Sequence, residues 1–129
     1  MAQEAPEADA VKAANLRFYE AFSGLDIDAM DGVWEQSERI LCTHPGWPVL
    51  RGWERVRKSW EDIFDNTSLM HFNITDANVV VQGDCAWINC VENITSVVDG
   101  RAANFSVQAT NIFSKGEGGW TIVHHHASA

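Results

Sequence analysis

The stretch CAWINCVENITSVVDGRAANFSVQATNIF, residues 85 to 113, decides the fold. Two runs rich in β-branched and aromatic residues flank Asp99-Gly100. Asp-Gly is a preferred pair for a two-residue hairpin turn, whose twist matches that of the strands on either side. A turn this short sets the register, so cross-strand partners follow by addition. With Val98 opposite Arg101, Glu92 falls opposite Val107, Cys90 opposite Ala109 and Ile88 opposite Asn111. Side chains alternate between the two faces of a strand. Ala86, Ile88, Cys90, Glu92 and Ile94 therefore share one face with Phe105, Val107, Ala109, Asn111 and Phe113. The other face carries Trp87, Asn89, Asn93, Thr95, Asn104, Ser106, Gln108 and Thr110.

Further strands are expected on both sides of this hairpin. Residues 69–75 running into 77–82 read as a strand joined to it by Gly83-Asp84. A last strand over 119–127 follows a Lys115–Gly118 hairpin loop. If Trp120 pairs with Phe113, then Asn111 faces Ile122, Ala109 faces His124 and Val107 faces His126. That places His124 and His126 on the apolar face and His125 on the other. A one-residue slip would put His125 inward in their place. The histidine triplet thus continues a strand that the core pattern requires, which argues against a purification tag.

The N-terminal half has helical texture instead. Val11, Ala14, Phe18, Phe22 and Leu25 recur every three or four residues from Glu7 onward and form one face. Ser23-Gly24 stops that helix, and Asp26 can cap a short second one carrying Ile27, Met30 and Val33. SERILCTH alternates as a strand with Ile40, Cys42 and His44 on one side. HPGWP ends it in a turn. A third helix over Trp53–Phe64 buries Trp53, Val56, Trp60 and Ile63. Helices followed by an antiparallel meander make an α+β domain, 7–129, with helices covering one face of a curled sheet. Residues 1–6 are expected to be disordered.

Composition sets the function classes aside or keeps them. The 129 residues make one domain, and 6 Trp and 6 Phe supply an ample interior. A net charge of -9 opposes a nucleic-acid partner, which needs a basic face. No apolar run is long enough to cross a bilayer. The segment MAQEAPEADA lacks the features of a signal peptide, and the 3 Cys lack C-x-x-C spacing. Reduced thiols in a cytoplasmic protein are the expectation, and the four N-x-S/T matches are then silent.

Glu92, Asn111, His124 and His126 stand out, because a polar group placed on an apolar face must be paired or must serve a purpose. Glu92 with His126 is expected to form an acid–base pair for proton transfer, with His124 beside it. His44 is either a first-strand residue pointing toward the same space or a turn residue satisfied by backbone groups. Trp34 and Tyr19 are candidates for the pocket mouth, and Trp60 for a ligand platform or plain core. The alternatives for the histidines are hydrogen-bonded core residues or a metal pair, but no metal motif is present and no cofactor is expected.

CTHPGWPVLRGWERVRKSW (42–60), GDCAWINCVENIT (83–95), ATNIF (109–113) and WTIVHHHAS (120–128) resemble the SnoaL-like branch of the nuclear transport factor 2-like (cystatin-like) superfamily. The resemblance covers about residues 8 to 128. It implies a cone-shaped half-barrel with a cavity between sheet and helices. It also implies a homodimer through the outer sheet face, where Trp87, Val91 and Ile112 would be covered. The superfamily holds ketosteroid isomerases, polyketide cyclases, epoxide hydrolases and dehydratases beside non-catalytic binding and association domains. The resemblance therefore implies a small-molecule cavity, lined by His44, Glu92, Asn111, His124 and His126, for isomerase, cyclase or dehydratase chemistry. The alternative is a non-catalytic ligand-binding or self-association domain.

Overall fold

The computed structural model describes residues 4–129. Helix α1 (Glu4–Ser23) buries Val11, Ala14, Phe18, Tyr19 and Phe22. It starts three residues before the expected position, so 4–6 are helical, and the rest of the segment expected to be disordered lies outside the described residues. It stops where expected: Gly24 N–H donates to Glu20 O, and Leu25 then takes a positive φ of 51°. Helix α2 (Ile27–Asp31) is capped by Asp26, whose carboxylate accepts from Ala29 N–H at 3.1 Å.

Strand β1 (Leu41–Thr43) carries Cys42 inward, flanked by buried Ile40 and His44. A two-residue strand β2 (Leu50–Arg51), not visible in the sequence pattern, pairs with it. Helix α3 (Trp53–Asp65) buries Val56, Ser59, Trp60 and Phe64, leaving Trp53 and Ile63 half-buried. Four long strands follow: β3 (Thr67–Gln82), β4 (Cys85–Val98), β5 (Arg101–Gly116) and β6 (Gly119–Ser128). The break expected near residue 76 is a bulge in β3, with Asp76 at φ 54°.

The six strands form one curled, unclosed sheet in the order β2-β1-β6-β5-β4-β3, with the helices against its concave face. The β4–β5 register matches addition from Asp99-Gly100 along its whole length. Both turn residues have positive φ, 51° and 77°, which Asp and Gly tolerate better than bulkier residues.

The β5–β6 register differs from the expectation, and the difference reverses the histidines. The turn is tighter than assumed: Gly116 pairs with Gly119, and Phe113 pairs with Ile122 rather than Trp120. A shift of two keeps the faces, so Trp120 and Ile122 still point inward. A bulge follows, because Ile112 pairs with His124 and leaves Val123 as an extra residue. That odd step exchanges the faces for the rest of the strand. His125 and Ala127 are buried, whereas His126 is exposed and His124 half-exposed. His124 and His126 are thus corrected from cavity residues to outer-face residues. Parallel pairing with β1 is consistent with this. Cys42 sits beside His125, and neighbours in a sheet share a face.

Candidate functional site

A cavity of about 620 Å³ lies between α1, α3 and the concave sheet face. Phe22, Met70, Ile94 and Phe105 give it apolar walls, and Trp47, Asn66 and Asp99 stand at the rim. Its polar end is formed by Glu92, His44 and His125. These three come from β4, the end of β1 and β6, which the curl of the sheet brings together.

Glu92 is 2% exposed. The Tyr19 hydroxyl donates to its Oε2 at 2.6 Å. Burial pushes the carboxyl up to about 7, against the pull of the Tyr19 hydrogen bond in the other direction. Burial and the neighbouring carboxyl together drive the Tyr19 hydroxyl far above its ordinary range, so it stays a donor. The Tyr19 oxygen accepts in turn from Asn111 Nδ2 at 3.3 Å. Asn111 Nδ2 also donates to Asn15 Oδ1 at 2.8 Å, and Asn111 Oδ1 meets His125 Nδ1 at 2.5 Å. One chain of hydrogen bonds therefore runs from Glu92 through Tyr19 and Asn111 to His125.

His44 is held separately. Its Nε2 lies 2.9 Å from Ser59 Oγ, and the Ser59 hydroxyl donates to Val56 O at 2.6 Å. Trp60 packs edge-on against the His44 ring at a centroid distance of 4.7 Å. Trp47 does the same from the rim at 4.9 Å. Burial lowers the His44 ring to about 4, and burial with three neighbouring histidines depresses His125 well below the ordinary range. Both rings are neutral at physiological pH.

Of the residues singled out in the sequence, the structure brings Glu92 and His44 to the cavity. Tyr19 and Asn111 lie behind Glu92 and His125 as hydrogen-bond partners and do not line the cavity. Trp34 and Trp60 are core residues, although the indole N–H of each is buried without a partner. His124 and His126, their rings 6.5 Å apart, sit on the outer face, so the expected Glu92–His126 pair does not form. The parity switch at Val123 hid His125, because a single extra residue has no signature of its own in an alternating pattern. Ser59 and Asn15 were hidden by lying on helices, where their burial depends on packing angle. Among the described residues no group of three His, Cys, Asp or Glu could hold a metal ion. No helix among them is long and apolar enough to cross a membrane.

A curled sheet wrapped over three helices, with acid and histidine at the end of the cavity, is the nuclear transport factor 2-like architecture. The chain belongs to the SnoaL-like domain family, whose model matches residues 11–129. A Streptomyces avermitilis protein of the NTF2-like family, proposed to be a dehydratase, is 36% identical. The match covers 97% of this chain and 96% of that one, with a TM-score of 0.91. A proposed calcium/calmodulin-dependent protein kinase type II association domain from Thiobacillus denitrificans is 28% identical. It covers 91% of this chain and 92% of that one, with a TM-score of 0.81. F-box protein SKIP8 of Arabidopsis thaliana is 27% identical over 119 residues, 92% of this chain and 49% of that protein. The chain thus spans about half the length of this curated relative.

Proposed function

We propose that the protein binds a small carbonyl-containing metabolite in the 620 Å³ cavity and moves a proton next to its carbonyl group, as an isomerase, cyclase or dehydratase does. The observation that carries this reading is Glu92. It is a buried carboxyl at the inner end of an apolar cavity, fixed by one hydrogen bond and titrating near neutral pH. A base works best when its pKa lies near the operating pH. Glu92 takes the proton from carbon, and His125 assists in the place first given to His124 and His126. The 36%-identical relative proposed as a dehydratase supports this class of chemistry.

The test is turnover of a panel of hydroxyketones, unsaturated ketones and diketones by wild type and Glu92→Gln. Removing a general base is expected to lower kcat by about a hundredfold or more. If the substrate found is turned over equally by Glu92→Gln, the assignment fails.

A second reading is self-association without catalysis. It is favoured by half-buried Trp87, Val91 and Ile112 on the outer sheet face and by the 28%-identical association domain. We expect a homodimer through that face. Light scattering separates a dimer from a ring. Three free thiols are in keeping with a reducing, cytoplasmic setting.

A further inference from the structure

The hydrogens at the polar end of the cavity can be accounted for one by one. Glu92, when ionised, only accepts. The Tyr19 hydroxyl has one hydrogen, and it goes to Glu92 Oε2 at 2.6 Å. The Tyr19 oxygen must therefore accept from Asn111, which fixes the Asn111 amide with Nδ2 toward Tyr19 and Asn15. Asn111 Oδ1 then faces His125 Nδ1, so the hydrogen of the neutral His125 ring is on Nδ1 and is spent there. His125 Nε2 carries a lone pair. At His44 the same logic holds. Ser59 spends its hydrogen on Val56 O, so it accepts from His44 Nε2–H, and His44 Nδ1 carries the lone pair. The Cys42 thiol, 3.7 and 3.9 Å from the two ring nitrogens, is a weak donor at best.

Every strong donor among these groups is thus committed to another protein atom. At about pH 8, where Glu92 is mostly ionised, Glu92, His125 and His44 present acceptors only. Thr67, on the wall, spends its hydroxyl hydrogen on Ile63 O at 2.6 Å. Donors with hydrogens to spare, Asn66 and Trp47, stand at the rim. The orphan indole N–H of Trp60 belongs to a residue that does not line the cavity. Among the described residues no Lys or Arg lines it either. The rim carboxylate of Asp62 is already paired with Lys58 at 2.8 Å, and Asp99 adds a further negative charge. Arg101, exposed on the same sheet face beside the lining residues Val98 and Asp99, is not itself part of the lining.

We infer that the cavity takes an uncharged hydroxy compound whose hydroxyl hydrogens enter first. Carboxylates, phosphates and donor-free ethers of the same shape are poor ligands. An anion would meet carboxylates and lone pairs with no counter-charge. An ether would leave three buried acceptors unpaired, and an unpaired buried polar group costs more than an unmade surface contact. The inference rests on this cavity being the ligand site, and under the proposed function it narrows the substrate to a hydroxycarbonyl compound.

The experiment is equilibrium binding, by calorimetry at about pH 8, of 2-naphthol, 2-methoxynaphthalene and 2-naphthoate to the intact protein. A hydrogen bond to a charged acceptor makes 2-naphthol bind about tenfold or more tighter than the ether. The naphthoate is expected to bind weakest. Glu92→Gln adds an N–H donor and removes the charge, so the naphthol preference should shrink several-fold. Nitrogen NMR of the wild type should find His125 protonated on Nδ1. An ether or naphthoate binding as tightly as 2-naphthol overturns the inference, as does no binding by any of the three or a His125 protonated on Nε2. None of these readouts involves turnover. Loss of the proton-transfer assignment with the naphthol preference intact would therefore be seen as such.

Discussion

The Tyr19 hydroxyl sits 2.6 Å from Glu92 Oε2, although 73 residues separate the two in the chain. This one contact ties α1 to β4 across the core and pulls the carboxyl's titration downward. Burial and the hydrogen bond act on Glu92 in opposite directions, and burial wins.

Tyr19→Phe removes the opposing influence. The Glu92 titration, followed by carboxyl carbon NMR, is expected to move upward from about 7 to about 8. A downward movement, or none, would show that the hydrogen bond does not stabilise the carboxylate.

Glu92 also makes stability depend on pH. Its folded pKa, about 7, is raised above 4.5, so the folded state holds a proton that the unfolded state has released. Its contribution is present below the unfolded value and is lost as pH rises through the folded one. His44, lowered to about 4, works oppositely: the unfolded state binds the proton first, and stability rises with pH between about 4 and 6.5. The two effects offset each other up to about 6.5. Glu92→Gln isolates the first. Relative to wild type it should gain roughly 2 kcal/mol between pH 5 and pH 8. Urea denaturation at the two pH values measures this, and a constant difference would contradict it.

The face reversal at Val123 predicts unequal histidines. His125→Ala leaves Asn111 Oδ1 without its partner and opens a hole against Phe18, whose ring centroid is 5.0 Å from that of His125. A loss of about 2–4 kcal/mol is expected. His126→Ala, at an exposed position, should change stability by less than about 0.5 kcal/mol. A larger loss at His126 than at His125 would restore the register first expected from the sequence.

The outer face predicts assembly. Trp87→Lys places a charge in the middle of the patch formed with Val91 and Ile112. A homodimer through this face should become a monomer in sedimentation at micromolar concentration, with the thermal midpoint of the monomer retained. An unchanged mass would place the interface elsewhere.

The sequence by itself determined what is local. The Asp99-Gly100 turn set the β4–β5 register residue by residue, because two residues with positive φ leave the strands no other alignment. Three- and four-residue spacing located α1 and α3, and alternation located Cys42 and His44 on one side of β1. Glu92 was legible as a carboxyl on an apolar face.

What only the tertiary structure decided is where an extra residue is absorbed and which polar groups meet. Val123 bulges out of β6 where the strand runs between β1 and β5 and the sheet curls. Nothing in the HHH triplet says which ring turns inward, since all three are chemically identical. Sheet curvature resolved it in favour of His125. Tyr19, the partner of Glu92, and Asn15, a partner of Asn111, come from α1, and their meeting with the sheet residues depends on how that helix lies across the sheet. That is a matter of packing between elements distant in the chain, which periodicity within one element does not encode.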